Sequence, residues 1–352
     1  MPLINERKSI NLKKHILFAI VFALTTLSLL AQPAQRRKGA QAEKIRNVRQ
    51  NKNESAHALG NNNDSFVVGK NRFTTQVNGD TREYYVHVPK SYDKAKAVPV
   101  VFMLHGTSGD GEKFYNISGW KEVGENENIL TVYPSSWHHC IIEDGQRKNT
   151  TKWHIYPSGY EYCPGEVPKD DIKFLNQVID EMCGKFNINQ KMIYMVGFSN
   201  GGQMTARIGI EMSDRVAAVV SSAGFLPLGA TLTPKRLLPN LAQVGTNDDR
   251  YMGLSGGAPL PMNFDQLFAQ SQFFKGEMKA YGTAYKLGPK YTTGGNPNKI
   301  TWLDAKGTSG DPNNVFRFAL IKGMTHMYPN GKNFPLNGAQ MNWQWLKQYK
   351  LP

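Results

Sequence analysis

Several short stretches of this chain are apolar almost without interruption: residues 98–104 (Val-Pro-Val-Val-Phe-Met-Leu), 129–133, 192–196, 216–220 and, more weakly, 241–244 and 316–321. A strand with one face in water alternates apolar and polar residues. Runs of this length, rich in Val and Ile and apolar on both faces, instead suit the middle of a parallel sheet covered on both sides. Helical periods separate them at 120–126, 171–183, 202–212, 264–281 and 339–349. Ahead of them, segments 73–77 and 83–88 flank Asn78-Gly79-Asp80-Thr81, which predicts an antiparallel hairpin. The pattern predicts an α/β fold over residues 65–352, with a mostly parallel sheet of about eight strands and helices on both faces.

The chain has 352 residues, 40% hydrophobic and 20% charged, a balance that excludes a disordered chain, a fibrous repeat and a polytopic membrane protein. Its net charge of +14 suggests nucleic acid until it is located: residues 1–55 hold eleven Lys or Arg against Glu6, Glu43 and Glu54, a local excess of +8. The remainder lacks clustered basic residues interleaved with aromatics, so no nucleic-acid partner is expected. Arg7, Lys8, Lys13 and Lys14 precede an apolar run at 16–30, followed by Ala31-Gln32-Pro33-Ala34. This reads as a signal peptide over 1–34, implying a secreted or periplasmic protein with no stable membrane insertion after cleavage; an uncleaved anchor is the alternative. Residues 35–64, polar and without apolar period, read as a flexible basic linker.

In an exported protein, Cys140 and Cys163 can close a disulfide, leaving Cys183 beside the apolar stripe of a helix as a reduced core thiol. His138, His139 and His154 lie in the same segment, but their spacing with the cysteines fits no usual zinc pattern. No metal or organic cofactor is expected.

The chemistry centres on residues 192–196 running straight into Gly197-Phe198-Ser199-Asn200-Gly201-Gly202 and then into a helix. G-x-S-x-G carries weight when it joins a buried strand to a helix, because a nucleophilic Ser on so sharp a turn needs small neighbours two positions away on either side. Its base should follow in the chain, and His326 is the only histidine after Ser199. The orienting acid is expected at the C-terminal end of a strand; Gly245-Thr246-Asn247-Asp248-Asp249 follows 241–244, and spacing leaves Asp248 and Asp249 both open. An oxyanion needs two backbone N–H donors. Asn200, after the nucleophile, supplies one, and Thr107 in the loop Leu104-His105-Gly106-Thr107-Ser108-Gly109 the other, leaving His105 a structural role. The long insert 135–169 carries Trp137, Trp153, Tyr156, Tyr160 and Tyr162, and Trp137, Trp153 and Tyr156 are candidate substrate contacts opposite Tyr251. The same rings can equally pack the insert into a small core of its own.

Taken in order, Arg82-Glu83-Tyr84-Tyr85-Val86-His87-Val88-Pro89, Leu104-His105-Gly106, Val132-Tyr133-Pro134, Asp170-Asp171-Ile172, the 197–202 turn, Ser222-Ala223-Gly224, Gly245-Thr246-Asn247-Asp248 and 323–329 resemble the secreted esterase/polyhydroxybutyrate depolymerase family of α/β-hydrolases, which includes feruloyl and acetylxylan esterases. The resemblance covers residues 66–350 and implies the α/β-hydrolase fold. It selects Asp248, the third residue after the Gly of the family's His-Gly-Thr-x-Asp motif, although Gln243-Val244 stands where that motif carries its His. Thr107 stands where depolymerases often carry Cys. The implied activity is hydrolysis of carboxylic esters through an acyl-enzyme on Ser199. Feruloyl or acetyl esters on polysaccharide are favoured by the aromatic insert and by the lack of a separate binding domain after the last helix. A polyester such as polyhydroxybutyrate is the alternative substrate. An acyltransferase, a peptidase or a non-catalytic carbohydrate-binding surface protein could use the same residues.

Overall fold

The computed structural model describes residues 66–143, 145–156 and 160–352; the expected signal peptide and linker lie outside the described residues. Thirteen strands are described: β1 (Gly69–Val77), β2 (Asp80–Val88), β3 (Val98–Leu104), β4 (Leu130–Pro134), β5 (Trp137–Glu143), β6 (Gln146–Lys152), β7 (Glu161–Tyr162), β8 (Ile188–Phe198), β9 (Ala218–Ser222), β10 (Asn240–Gly245), β11 (Leu287–Asn296), β12 (Ile300–Gly307) and β13 (Val315–Ile321). The helices are α1 (Gly111–Ile117), α2 (Trp120–Glu127), α3 (Asp171–Lys185), α4 (Asn200–Glu211), α5 (Asp249–Met252), α6 (Phe264–Gln270), α7 (Gln272–Ala284) and α8 (Gly338–Leu346).

Ten strands form the main sheet, in the order β1-β2-β4-β3-β8-β9-β10-β13-β12-β11. The six from β4 to β13 run parallel; β2 and β12 border them antiparallel, and β1 and β11 close the edges. The expected count of about eight is therefore too low. The additional pair, β11 and β12, has a physical reason for escaping notice: β11 is Leu-Gly-Pro-Lys-Tyr-Thr-Thr-Gly-Gly-Asn, with no residue buried, so no apolar run marks it. The opening hairpin forms as its turn predicts, with φ of 53° at Asn78 and 87° at Gly79, both in the left-handed region that a tight two-residue turn requires.

Alternation along the central strands feeds two cores. Val100, Phe102, Leu104, Ile193 and Met195 face one side, where they meet Phe174, Val178, Met204, Ile208, Phe274 and Tyr281 of α3, α4 and α7. Val101, Met103, Tyr194 and Val196 face the other and meet Phe114, Trp120, Val123, Trp343 and Leu346 of α1, α2 and α8. The helical period at 264–281 is divided in two. Ser271 between α6 and α7 is buried and extended (φ −120°, ψ 108°), and its hydroxyl caps α7 by accepting from the Phe274 N–H at 3.4 Å.

The insert forms its own three-stranded sheet, β6-β5-β7, and Cys140 and Cys163 are joined in a disulfide with Cα atoms 5.4 Å apart. Cys183 is a free, partly buried thiol packed against the core. The insert is anchored to the main fold by a buried ion pair. Arg82 of β2 meets Asp171 of α3 at 2.6 Å, and the second Asp171 oxygen accepts from the His154 N–H at 2.7 Å. Removing one partner of such a pair strands a buried charge and is strongly destabilising.

Candidate active site

β8 ends at Phe198 and α4 begins at Asn200, which leaves one residue to turn the chain. That residue is Ser199, with φ 55° and ψ −120°, a conformation an L-residue holds only under constraint from its surroundings. The constraint is partly the packing of glycine: a Cβ on Gly197 would run into the Gly201 carbonyl. It is partly the hydrogen bond from the Ser199 N–H to the Ser222 carbonyl of β9 at 2.8 Å.

The loops after β10 and β13 are stitched together by main-chain N–H donors. The Thr246 N–H donates to Ile321 O at 2.9 Å, the Asn247 N–H to Met324 O at 3.0 Å, and the Gly323 N–H to Thr246 Oγ1 at 2.8 Å. This splice brings Asp248 and His326 together. His326 Nδ1 lies 2.8 Å from Asp248 Oδ2, and His326 Nε2 lies 2.9 Å from Ser199 Oγ. Asp248 is fully buried and its other oxygen accepts from the Arg250 N–H at 3.2 Å, whereas Asp249 is exposed and its carboxylate accepts from the Arg250 N–H at 3.1 Å. With a carboxylate at Nδ1, that nitrogen carries the proton and Nε2 is free to accept from the Ser199 hydroxyl.

The loop after β3 packs against the nucleophile; a Cβ added to Gly106 would sit 3.1 Å from Ser199 Cβ. Among the described residues, neither the Thr107 nor the Asn200 N–H donates to a protein acceptor. Asn200 is the first residue of α4, where an N–H has no partner within the helix. His105 bonds its own loop, donating from Nδ1 to Gly106 O at 2.7 Å and accepting the Ser136 N–H at Nε2 at 2.9 Å. Complete burial holds its pKa down at about 4, so it is neutral.

Ser199 and His326 open onto a cleft of about 340 Å3 whose walls include Gln203, Phe225, Tyr251, Leu254, Phe273 and Glu277. A larger surface groove of about 570 Å3, between α7 and β11, holds none of the candidate residues. Of the four aromatic candidates, Tyr251 lines the cleft; the other three require correction. Trp153 has no exposed surface: its Nε1 donates to His105 O at 2.9 Å, its N–H to Asn200 Oδ1 at 2.7 Å, and its ring lies 5.1 Å from that of His105. Tyr156 packs on the main core under Arg207, with its hydroxyl buried. Trp137 lies outside the cleft lining, with Arg82 and Lys169 against its ring. The scaffold takes up Trp153 entirely, Tyr156 packs on the core, and Trp137 is partly buried away from the cleft lining.

The insert reaches the site through Tyr160, whose hydroxyl accepts from Asn200 Nδ2 at 2.6 Å and donates to Gln203 Oε1 at 3.1 Å. Glu277, Phe225 and Phe273 escaped the sequence reading because they belong to loop and helix positions with no local motif. Among the described residues no group of three or more His, Cys, Asp or Glu is placed to hold a metal ion. His139 Nδ1 pairs with Glu166 at 2.9 Å and His154 Nδ1 with the Tyr162 hydroxyl at 2.9 Å.

No protein-family model matches the chain. It is 24% identical over 284 residues to feruloyl esterase B of Piromyces equi, covering 77% of this chain and 46% of that protein. It is 26% identical over 171 residues to the bifunctional acetylxylan esterase/xylanase XynS20E of Neocallimastix patriciarum, covering 49% of this chain and 22% of that protein. The chain thus spans less than half the length of these curated relatives. An S-formylglutathione hydrolase from Agrobacterium tumefaciens superposes with a TM-score of 0.50 at 11% identity, covering 81% of this chain and 97% of that one. The fold is that of the α/β-hydrolases, and the resemblance to esterases read from the motifs agrees with the names of the relatives.

Proposed function

We propose that this protein is a serine hydrolase of carboxylic esters working through an acyl-enzyme. The observation that carries this reading is the unbroken relay from Asp248 to His326 to Ser199, at 2.8 and 2.9 Å, opening onto a cleft. His326 Nε2 takes the hydroxyl proton as Ser199 Oγ attacks the ester carbonyl, and Asp248 stabilises the resulting imidazolium. The oxygen that becomes negative is met by the Thr107 and Asn200 N–H groups and by the N-terminal end of α4. The imidazolium returns its proton to the departing alkoxide, the alcohol leaves, and water repeats the sequence on the acyl-enzyme to release the acid and Ser199.

Feruloyl or acetyl esters carried on polysaccharide are the proposed substrates. Relatives named feruloyl esterase and acetylxylan esterase support this, as does a cleft at the small end of the range for small-molecule sites. The basic and apolar pattern of residues 1–34 supports export, and residues 65–352 are the proposed catalytic domain.

Purified protein is expected to hydrolyse p-nitrophenyl butyrate and to be labelled by a fluorophosphonate, and Ser199→Ala to lower kcat/KM by about 10^4-fold or more and abolish labelling. Activity retained by Ser199→Ala would sink the assignment. Assays on methyl ferulate, acetylated xylan and amorphous polyhydroxybutyrate separate the proposed substrates from a polyester.

A further inference from the structure

Glu277 occupies the inward face of α7, one turn from Phe274 and one from Tyr281, both fully buried. At 3% exposure it sits where a carboxyl is almost never found without a partner. Yet its Oε2 is shielded from solvent and has no hydrogen-bond partner among the described residues. The contrast with Asp248 is direct, since that equally buried carboxylate is bonded by His326 and by the Arg250 N–H. Leaving a buried polar group unpaired is costly, so such groups in a folded protein call for an explanation. Glu277 also lines the same cleft as Ser199 and His326, so the residue that carries this carboxyl borders the space a ligand would fill.

We propose that the Glu277 carboxyl is the hydrogen-bond partner of a hydroxyl on the acyl group of the ester, and so favours hydroxylated acids such as ferulic acid over acetic acid; this rests on the reading of Ser199 as an esterase nucleophile. The acyl group, not the alcohol, is the part of the ester that this cleft would take. Phe225, Leu226, Tyr251, Leu254 and Phe273 give the cleft an apolar side next to the polar groups of Gln203, Arg250 and Glu277, and about 340 Å3 holds a short chain or a single ring but not the sugars of a polymer, which must stay outside. The rings of Phe225, Tyr251 and Phe273 pack on one another at 5.4 to 5.8 Å, an arrangement that would also suit a cation. Two facts favour a neutral hydroxyl. Burial raises the Glu277 pKa to about 9, so the carboxyl is mostly protonated at pH 7. Arg250, also on the cleft lining, would repel a cation. A protonated carboxyl both donates and accepts, which matches the two roles of a hydroxyl.

The test compares esters that differ by one hydroxyl on the acid: methyl 4-hydroxycinnamate against methyl cinnamate, and ethyl 3-hydroxybutyrate against ethyl butyrate. Wild-type protein is expected to favour the hydroxylated member of at least one pair by about tenfold or more in kcat/KM. Glu277→Leu is expected to collapse that ratio to about one, and Glu277→Gln, which keeps a donor and an acceptor, to retain part of it. Hydrolysis of p-nitrophenyl acetate by the wild-type protein reports on the esterase reading separately. If the wild type cleaves that ester but shows no hydroxyl preference in either pair, the inference falls and the esterase reading stands. A preference that survives Glu277→Leu, or is replaced in the wild type by selection for a cationic acyl ester, also overturns it. A wild type that cleaves none of these esters overturns both.

Discussion

Two aromatic regions flank the nucleophile and serve opposite purposes. The insert between β4 and α3 holds Trp137, Trp153, Tyr156, Tyr160 and Tyr162, and three of these are held by hydrogen bonds: Trp153 to His105 and Asn200, Tyr160 to Asn200 and Gln203, and Tyr162 to His154. The wall formed by Phe225, Tyr251 and Phe273 has packing contacts between its rings, and it lines the cleft. Aromatic content therefore does not identify a substrate surface. What distinguishes the two regions is placement: Trp153, Tyr160 and Tyr162 of the insert have side chains held by hydrogen bonds, whereas Phe225, Tyr251 and Phe273 border the cleft.

The largest effect that would sharpen this contrast is expected at Trp153. Truncating a fully buried indole removes its packing and leaves the His105 carbonyl without its donor, so Trp153→Ala should cost about 3–5 kcal/mol of stability, read from urea unfolding. If stability is nearly unchanged while KM rises steeply, Trp153 is a substrate contact and the division of labour is wrong.

A second, somewhat smaller effect comes from pH, to which the two regions respond with opposite sign. His105, which braces the insert through Ser136, has a folded pKa of about 4, below its unfolded value of about 6.5. Between those values the unfolded chain binds the extra proton, so stability falls as pH drops from 6.5 to 4, by up to about 3 kcal/mol. Glu277, on the cleft side, has a folded pKa raised to about 9. It holds its proton in the folded state across the window from about 4.5 to 9, and its contribution falls as pH rises. The two slopes oppose each other from about 4.5 to 6.5, so wild-type data alone will understate both. Comparing unfolding midpoints of His105→Gln and wild type at several pH values isolates the first, since Glu277 is common to both proteins. A difference that does not change between pH 7 and pH 4.5 would show that His105 is not held neutral by burial.

The same contrast explains which parts of the molecule were legible in the sequence. The parallel core was readable because burial on both faces writes itself as runs such as Val98–Leu104, and Ser199 because its turn demands glycine on either side. His326 was readable by elimination, being the last histidine, and the choice of Asp248 over Asp249 required the family motif until the splice between the β10 and β13 loops was visible. β11 was not readable because an edge strand with no buried residue imposes no pattern, and β12 because its alternating buried positions are Thr301, Leu303 and Ala305 while Ile300 and Trp302 lie on the other face, which leaves no clear apolar alternation. Glu277 was hidden for a different reason. A Glu in a helix is ordinary in composition, and only tertiary packing turns its face inward.

The smallest expected effect concerns Tyr251 and tests whether the cleft wall is a contact surface at all. Its ring lies 5.4 Å from Phe225 and 5.7 Å from Phe273, so removing it opens the wall without disturbing a tethered network. An edge-to-face aromatic contact is worth about 0.5–1.5 kcal/mol, so Tyr251→Ala should raise KM for an ester whose acyl group fills the cleft by about threefold to tenfold. That change should fall mainly on KM, because the ring binds ground state and transition state alike. Tyr251 also sits on α5, three residues beyond Asp248, with its N–H bonded to the Asp248 carbonyl at 3.1 Å. A fall in kcat with KM unchanged would therefore mean that the ring works by holding α5, and through it the acid that orients His326. Tyr251 would then belong with the bracing residues of the insert, and the cleft would lose the only one of the four aromatic candidates that lines it.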